Sequence, residues 1–267
     1  MSRTPPSLPP EPEELGELTC DAIAGGFRIT QRKRGHRYSI DDVLTAFVAA
    51  QARPNAVRCL DLGAGIGSVT LMLCHRLPHA EFVAIEAQRN SFRLLEHNLE
   101  ANALKARVRA VHGDLRVTVT ANLGSFQLVT GTPPYVPPGR ATASTDAQRA
   151  YARQELRGGV EDYVAAAARA LSEDGLCVVC ADARFPERVT QAALQHGLSI
   201  VEVREVFPRA SRAALFSVFT LARRAPEHPP RRLTFTARDA HGARTEAYLA
   251  LREYFGMPRP REEKPSP

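Results

Sequence analysis

The sequence predicts a three-layer α/β sandwich built on a mainly parallel sheet. Three observations carry that reading. Short apolar runs with strand character alternate with segments of helical spacing through the middle of the chain. The first of these strands, VRCLDL (57–62), opens directly into a glycine-rich turn, DLGAGIGS (61–68). The last two runs follow each other with no helix between them, so the sheet closes on an antiparallel strand, unlike a dinucleotide dehydrogenase.

In chain order, SVTLMLCHRL (68–77) has helical spacing, EFVAIE (81–86) is the second strand and NSFRLLEHNLEANAL (90–104) the next helix. ARVRAVHGD (106–114) and SFQLVTG (125–131) supply two further strands. The segment 146–172 reads as helix, broken near Gly158 and Gly159. GLCVVCADA (175–183) is a strand, and PERVTQAALQHG (186–197) is a helix that starts on proline and stops at Gly197. LSIVEVREVFP (198–208) and AALFSVFTLARR (213–224) form the closing pair, for seven strands in the sheet.

A chain of 267 residues with 44% hydrophobic content can bury one full core. Residues 1–14 and 257–267 are rich in proline and charge and read as disordered tails around a domain spanning 15–256. A net charge of +6 suits polyanionic partners without requiring them. The five cysteines are an odd set in mostly apolar segments, which fits reduced thiols in a cytoplasmic protein. No run approaches the roughly 18 apolar residues of a membrane span, and the start lacks a signal-peptide pattern. Cys177 and Cys180 lie at odd separation within one strand and so face opposite sides, as core thiols rather than a redox or zinc pair. His36 and His112 have no companions at metal-ligand spacing, and no metal is expected.

Ligands of such sheets lie beyond the carboxyl ends of the strands, at the first strand-to-helix turn. Gly63, Ala64, Gly65 and Gly67 form that turn here, and the glycines let backbone approach a ligand closely. By itself a GxGxG turn is a weak signal, since it also serves as a purely structural device. Glu86 sharpens it: at the end of the second strand, 25 positions after Asp61, a carboxylate can accept bonds from both hydroxyls of a ribose. Asp114 ends the third strand, within reach of an adenine amino group. A fourth strand ends in TGTPPYVPP (130–138), where Thr132, Pro133 and Tyr135 face the same crevice.

Together DLGAGIG, AIEAQ, HGD and the Pro-Pro-Tyr strand exit resemble the class I S-adenosylmethionine-dependent methyltransferases that act on a planar nitrogen. The stretch FRITQRKRGHRYSIDDVLTAFVA (27–49), with Asp42, Val43 and Leu44 entering a helix, is similar to the entry segment of the bacterial tRNA1(Val) adenine-37 N6-methyltransferases. RTEAYLALREYFG (244–256) is similar to that family's closing helix, and the resemblance spans about residues 18–256. It implies a Rossmann-like fold and S-adenosyl-L-methionine held by Asp61, Gly63, Ala64, Gly65, Gly67, Glu86, Asp114 and Thr132. It further implies a tRNA adenine as methyl acceptor, with Tyr135 stacked on the flipped base.

An exocyclic amine is a poor nucleophile because its lone pair is delocalised into the ring. Acceptors facing its hydrogens favour localising that pair, and in-line placement supplies the rest. In the resembling enzymes an Asn carbonyl and the first proline's carbonyl are those acceptors; the prolines, with fixed φ and no N–H, aim the backbone oxygen. This chain has Thr132 in place of the Asn. A hydroxyl still accepts a bond, but the shorter, branched side chain also suits a small-molecule or protein acceptor. A third alternative is an RNA-interacting protein that keeps the cofactor without catalysis. Arg32, Lys33, Arg34 and Arg37 form a cluster that can contact phosphates or simply be a solvated hairpin turn.

Overall fold

The computed structural model describes residues 13–119, 123–136 and 146–258. Most of the two expected tails, and the end of the TGTPPYVPP stretch, therefore lie outside the described residues. An antiparallel hairpin, β1 (Leu18–Ala24) and β2 (Phe27–Arg32), precedes α1 (Ile40–Ala52). The central elements are β3 (Arg58–Leu62), α2 (Ser68–Arg76), β4 (Glu81–Glu86), α3 (Arg89–Ala101), β5 (Val108–His112), α4 (Leu115–Thr118) and β6 (Phe126–Gly131). Next come α5 (Ala147–Arg153), α6 (Val160–Ala170), β7 (Leu171–Asp182), α7 (Pro186–Gln195), β8 (Ser199–Phe207) and β9 (Phe216–Ala222). The chain closes with β10 (Arg231–Thr236) and α8 (Glu246–Tyr254).

The sheet order is β10-β8-β9-β7-β6-β3-β4-β5, with β9 antiparallel to both neighbours and every other pairing parallel. The mainly parallel α/β sheet is as the sequence predicts, but it has eight strands and not seven. The extra strand, β10, adds in parallel to β8 at one edge. Only Phe235 of its six residues is buried, so RRLTFT carries little of the apolar signal by which strands are read. A second difference lies at 171–174. The helical pattern extends to Ser172, yet Leu171 already pairs with Phe126, and the strand resumes regular register only at Leu176, after an irregular SEDG stretch. The helix break is confirmed at Gly158, whose φ of +102° no L-residue adopts cheaply.

Strand alternation sends apolar residues to both faces, each covered by helices. Cys59, Phe82, Leu128, Val178, Cys180 and Val218 pack with α1, α2, α3, α8 and the hairpin. Leu60, Leu62, Val83, Val129, Cys177 and Val179 pack with α4, α6 and α7 on the other side. Cys177 and Cys180 thus sit on opposite faces, both fully buried, and all five cysteines are free thiols. No helix among the described residues is long and apolar enough to cross a membrane.

The hairpin is fastened by α3. The Asn98 amide oxygen accepts the Thr30 N–H (2.7 Å), while its amino group donates to the carbonyls of Thr30 (3.0 Å) and Ile66 (2.9 Å). Asn102 repeats the pairing on the Arg28 backbone at 2.9 and 2.7 Å. Two amides therefore satisfy the open edge of β2 and tie it to the glycine turn.

Candidate functional site

β3 lies between β6 and β4, so the chain reverses direction across the sheet here and a crevice opens above the strand ends. Gly63, Ala64 and Gly65 at the end of β3, Glu86 at the end of β4, Asp114 after β5 and Thr132 after β6 all line one cleft. Its volume is about 880 Å³ counting the solvent at its mouth.

The floor is set by the turn. Gly65 has φ +58°, and a Cβ added there meets no atom within 4 Å, so the backbone borders open cleft. Glu86 is 9% exposed; its carboxylate accepts the N–H of Gly65 (2.8 Å) and of Gln88 (2.6 Å). One side chain thereby ties the turn after β3 to the turn after β4. A carboxylate oxygen accepts along more than one direction, so the same group can also take a ligand hydroxyl from the cleft. Asp114 caps α4, accepting the Arg116 N–H at 2.9 Å, and Arg116 also grips it through its guanidinium, 2.6 Å at the shortest. Burial works to raise its pKa, but the Arg116 bonds prevail and hold it below the ordinary carboxylate range.

Asp61 and Gly67 are not among the described lining residues. Asp61 is 2% exposed and bonded by the hydroxyls of Thr70 (2.6 Å) and Thr130 (2.9 Å), bracing β3 against α2 and β6 from behind. Burial raises its pKa to about 6, with the two threonines opposing and the Glu86 charge adding. Gly67 is the N-cap of α2 in a left-handed conformation, φ +92°, and serves the geometry of the turn.

Beyond β6, Thr132 and Pro134 line the cleft, whereas Pro133 and Tyr135 do not. The Tyr135 ring stacks on Phe216 at 6.4 Å, and its hydroxyl lies 3.2 Å from Asp41 Oδ2 and 2.9 Å from Cys180 Sγ. In this conformation Tyr135 packs against the core rather than facing the cleft. The aromatic residues that do line the cleft are Tyr38, Tyr151 and Tyr163, none of them singled out by the sequence. Tyr163 sits on α6 within an ordinary apolar face, and its side chain packs so closely on Gly63 and Gly131 that a Cβ at either position would collide with it. No sequence signal marks that contact, because it joins α6 to the ends of two separate strands.

Asp42 also lines the cleft and is 6% exposed. The third residue of α1, it accepts the Ser39 N–H at 2.9 Å through Oδ2, and the Thr132 hydroxyl stands 3.4 Å from Oδ1. Burial, then the nearby Asp41 charge, push its pKa well above the ordinary carboxylate range. The sequence pattern placed an acid there, where it reads simply as a first-turn helix acid.

In the basic cluster, Arg32 pairs with Asp146 (2.9 Å), Lys33 with Glu17 (2.8 Å) and Arg37 with Asp21 (2.9 Å), while Arg34 is exposed. Three of the four charges are thus already matched by carboxylates.

Residues 38–205 match the family described as the methyltransferase small domain. A tRNA1(Val) (adenine(37)-N6)-methyltransferase of Escherichia fergusonii is 26% identical over 199 residues, 74% of this chain and 80% of that protein. The protein of the same name from Porphyromonas gingivalis is 27% identical over 237 residues, 86% of this chain and 92% of its own length. Among solved structures, a predicted O-methyltransferase from Agrobacterium tumefaciens superposes with a TM-score of 0.59 at 19% identity, covering 83% of this chain and 100% of that one, which is agreement of fold.

Proposed function

The chain belongs to the methyltransferase small domain family, and from that premise we propose that it transfers a methyl group from S-adenosyl-L-methionine to the exocyclic amine of an adenine in tRNA. The observation that carries this reading is a single cleft lined both by Glu86 with the Gly63–Gly65 turn and by Thr132 and Pro134 of the exit from β6. The residues fit the cofactor. Glu86 is a nearly buried carboxylate on the cleft wall, able to accept from ribose hydroxyls, Gly65 leaves room for a ligand against backbone, and Asp114 supplies an acceptor at the end of β5.

When bound, the cofactor supplies a strongly electrophilic sulfonium methyl, so the protein's task is placement and exclusion of water. Glu86 would orient the ribose and Asp114 the adenine edge. Thr132 Oγ1 would accept from the substrate amine and favour localising its lone pair; the Pro133 carbonyl would join it only on turning into the cleft, which Pro133 does not line in this conformation. Tyr135 must leave Phe216 to stack on a base, whereas Tyr38 and Tyr151 already line the cleft. Support for tRNA comes from the relatives' names and the positive net charge. A second reading, a small-molecule or protein acceptor, is favoured by Thr132 and by the carboxylate partners of Arg32, Lys33 and Arg37.

Incubation with tritiated S-adenosyl-L-methionine and total tRNA, total protein or a metabolite extract in separate reactions tests the proposal. Label in tRNA recovered as N6-methyladenosine is the expected result; label only in another fraction transfers the reading to that acceptor class.

A further inference from the structure

Asp42 costs more than a helix-capping acid needs to. Its Oδ2 satisfies the Ser39 N–H, a task that an exposed carboxylate at the third helical position performs as well. Here the group is 6% exposed and faces the carboxylates of Asp41 on its own helix and Asp61 on β3, which raises the penalty of keeping it charged. From the other elements packed against it come two hydroxyls, Ser68 at the start of α2 and Thr132 after β6. Both of those residues line the cleft, as Asp42 does.

We propose that Asp42 is a positioning residue for the methyl acceptor: its Oδ1 accepts a hydrogen bond from the Thr132 hydroxyl, so that the lone pairs of Thr132 Oγ1 face the acceptor amine. A threonine hydroxyl is both donor and acceptor and rotates to suit its surroundings. Left free, it donates as readily as it accepts, and a donor aimed at an amine nitrogen competes for the lone pair that must attack. An asparagine at that position needs no such partner, because its carbonyl oxygen only accepts. The Asp42–Thr132 pair therefore does with two residues what an amide oxygen does with one. No proton passes to Asp42 in the reaction; the surplus amine proton leaves to water. The inference rests on the acceptor reading above.

Asp42→Asn is the discriminating variant because the Ser39 N–H fixes its flip. The amide oxygen must face Ser39, so the amino group faces Thr132 and donates to Oγ1, turning the hydroxyl proton toward the acceptor. In the wild-type background this should lower kcat by about a hundredfold, with the cofactor Kd measured by calorimetry within about twofold. In a Thr132→Asn background the same change should cost at least about tenfold less, since the amide oxygen introduced at 132 can accept from the amide that replaces the Asp42 carboxylate with one lone pair and from the substrate with the other. The rise of kcat with pH that accompanies ionisation of Asp42 should disappear in Asp42→Asn. A second readout needs neither cofactor nor acceptor: the 13C carboxyl resonance of Asp42 should titrate at higher pH in Thr132→Val, which removes a donor to the charged form. Equal cost of Asp42→Asn in both backgrounds, or an unmoved Asp42 titration in Thr132→Val, overturns the proposal. Absence of methyl transfer by the wild type to every fraction overturns the acceptor reading instead, and the titration then still decides whether the contact exists.

Discussion

Glu86 joins two turns through two backbone N–H groups and borders the cleft with the same carboxylate. Glu86→Ala leaves the Gly65 and Gln88 amides without that partner and removes the carboxylate proposed above to accept from the ribose. Charge-assisted bonds of about 1.5–3 kcal/mol are at stake, so the cofactor Kd should rise at least about tenfold by calorimetry. An unchanged Kd would remove Glu86 from the binding site. Asp61 predicts a pH effect of definite sign. Its carboxyl binds a proton more tightly in the folded state, with pKa raised from 3.8 to about 6, so its contribution to stability is fully present below pH 3.8 and is lost as pH rises through 6. The loss is worth about 3 kcal/mol at full value. Urea midpoints from pH 4 to pH 7 should therefore fall less in Asp61→Asn than in the wild type, and identical slopes would exclude Asp61 as the source. That an acid belongs at 61 was legible from the motif; its role behind the turn was not, because Thr70 and Thr130 reach it from separate elements.

β10 shows what an edge element contributes. It extends the sheet beyond β8, and its one buried side chain, Phe235 at 7% exposure, packs in the cluster that holds Leu251 and Phe255 around α8. Phe235→Ala should cost about 3–5 kcal/mol of stability and lower the melting temperature. The cofactor Kd should stay the same, because four strands separate β10 from β3 in the sheet. A changed Kd with an unchanged melting temperature would contradict this division between edge and site. Continuous apolar runs made β3, β4 and β9 readable, while β10 escaped because only Phe235 of its six residues is buried and its other residues are mostly arginine and threonine. The 171–174 stretch failed differently. Helical spacing continues into it as far as Ser172, and pairing of Leu171 with Phe126 pulls it into the sheet.

Across the whole molecule, the net charge of +6 favours polyanions, but where that charge is available depends on the fold. Arg32 is held by Asp146 and the Leu15 carbonyl, and Arg37 by Asp21 and Thr19, so both lock the hairpin to its surroundings. Lys33 and Arg34 are exposed. If tRNA crosses this face, Lys33→Ser with Arg34→Ser should flatten the dependence of log Kd on log salt by up to about 2, leaving the melting temperature within about a degree of wild type. Arg32→Ser should lower the melting temperature instead. A salt slope unmoved by the double substitution would place the RNA-binding surface elsewhere or favour the small-acceptor reading.

The sheet class, the glycine turn and the strand ends that bear Glu86, Asp114 and Thr132 were legible in the chain, because they depend on local spacing that any folded version of this pattern must keep. Membership of the cleft was decided by the tertiary structure. Tyr135 stacks on Phe216, Asp42 comes to face Thr132, Tyr163 fills the space that Gly63 and Gly131 leave, and the cations of the hairpin meet acids from other segments. Each of these joins residues well separated in the chain, and side-chain direction at such a contact is set by packing against the partner rather than by the periodicity of either segment.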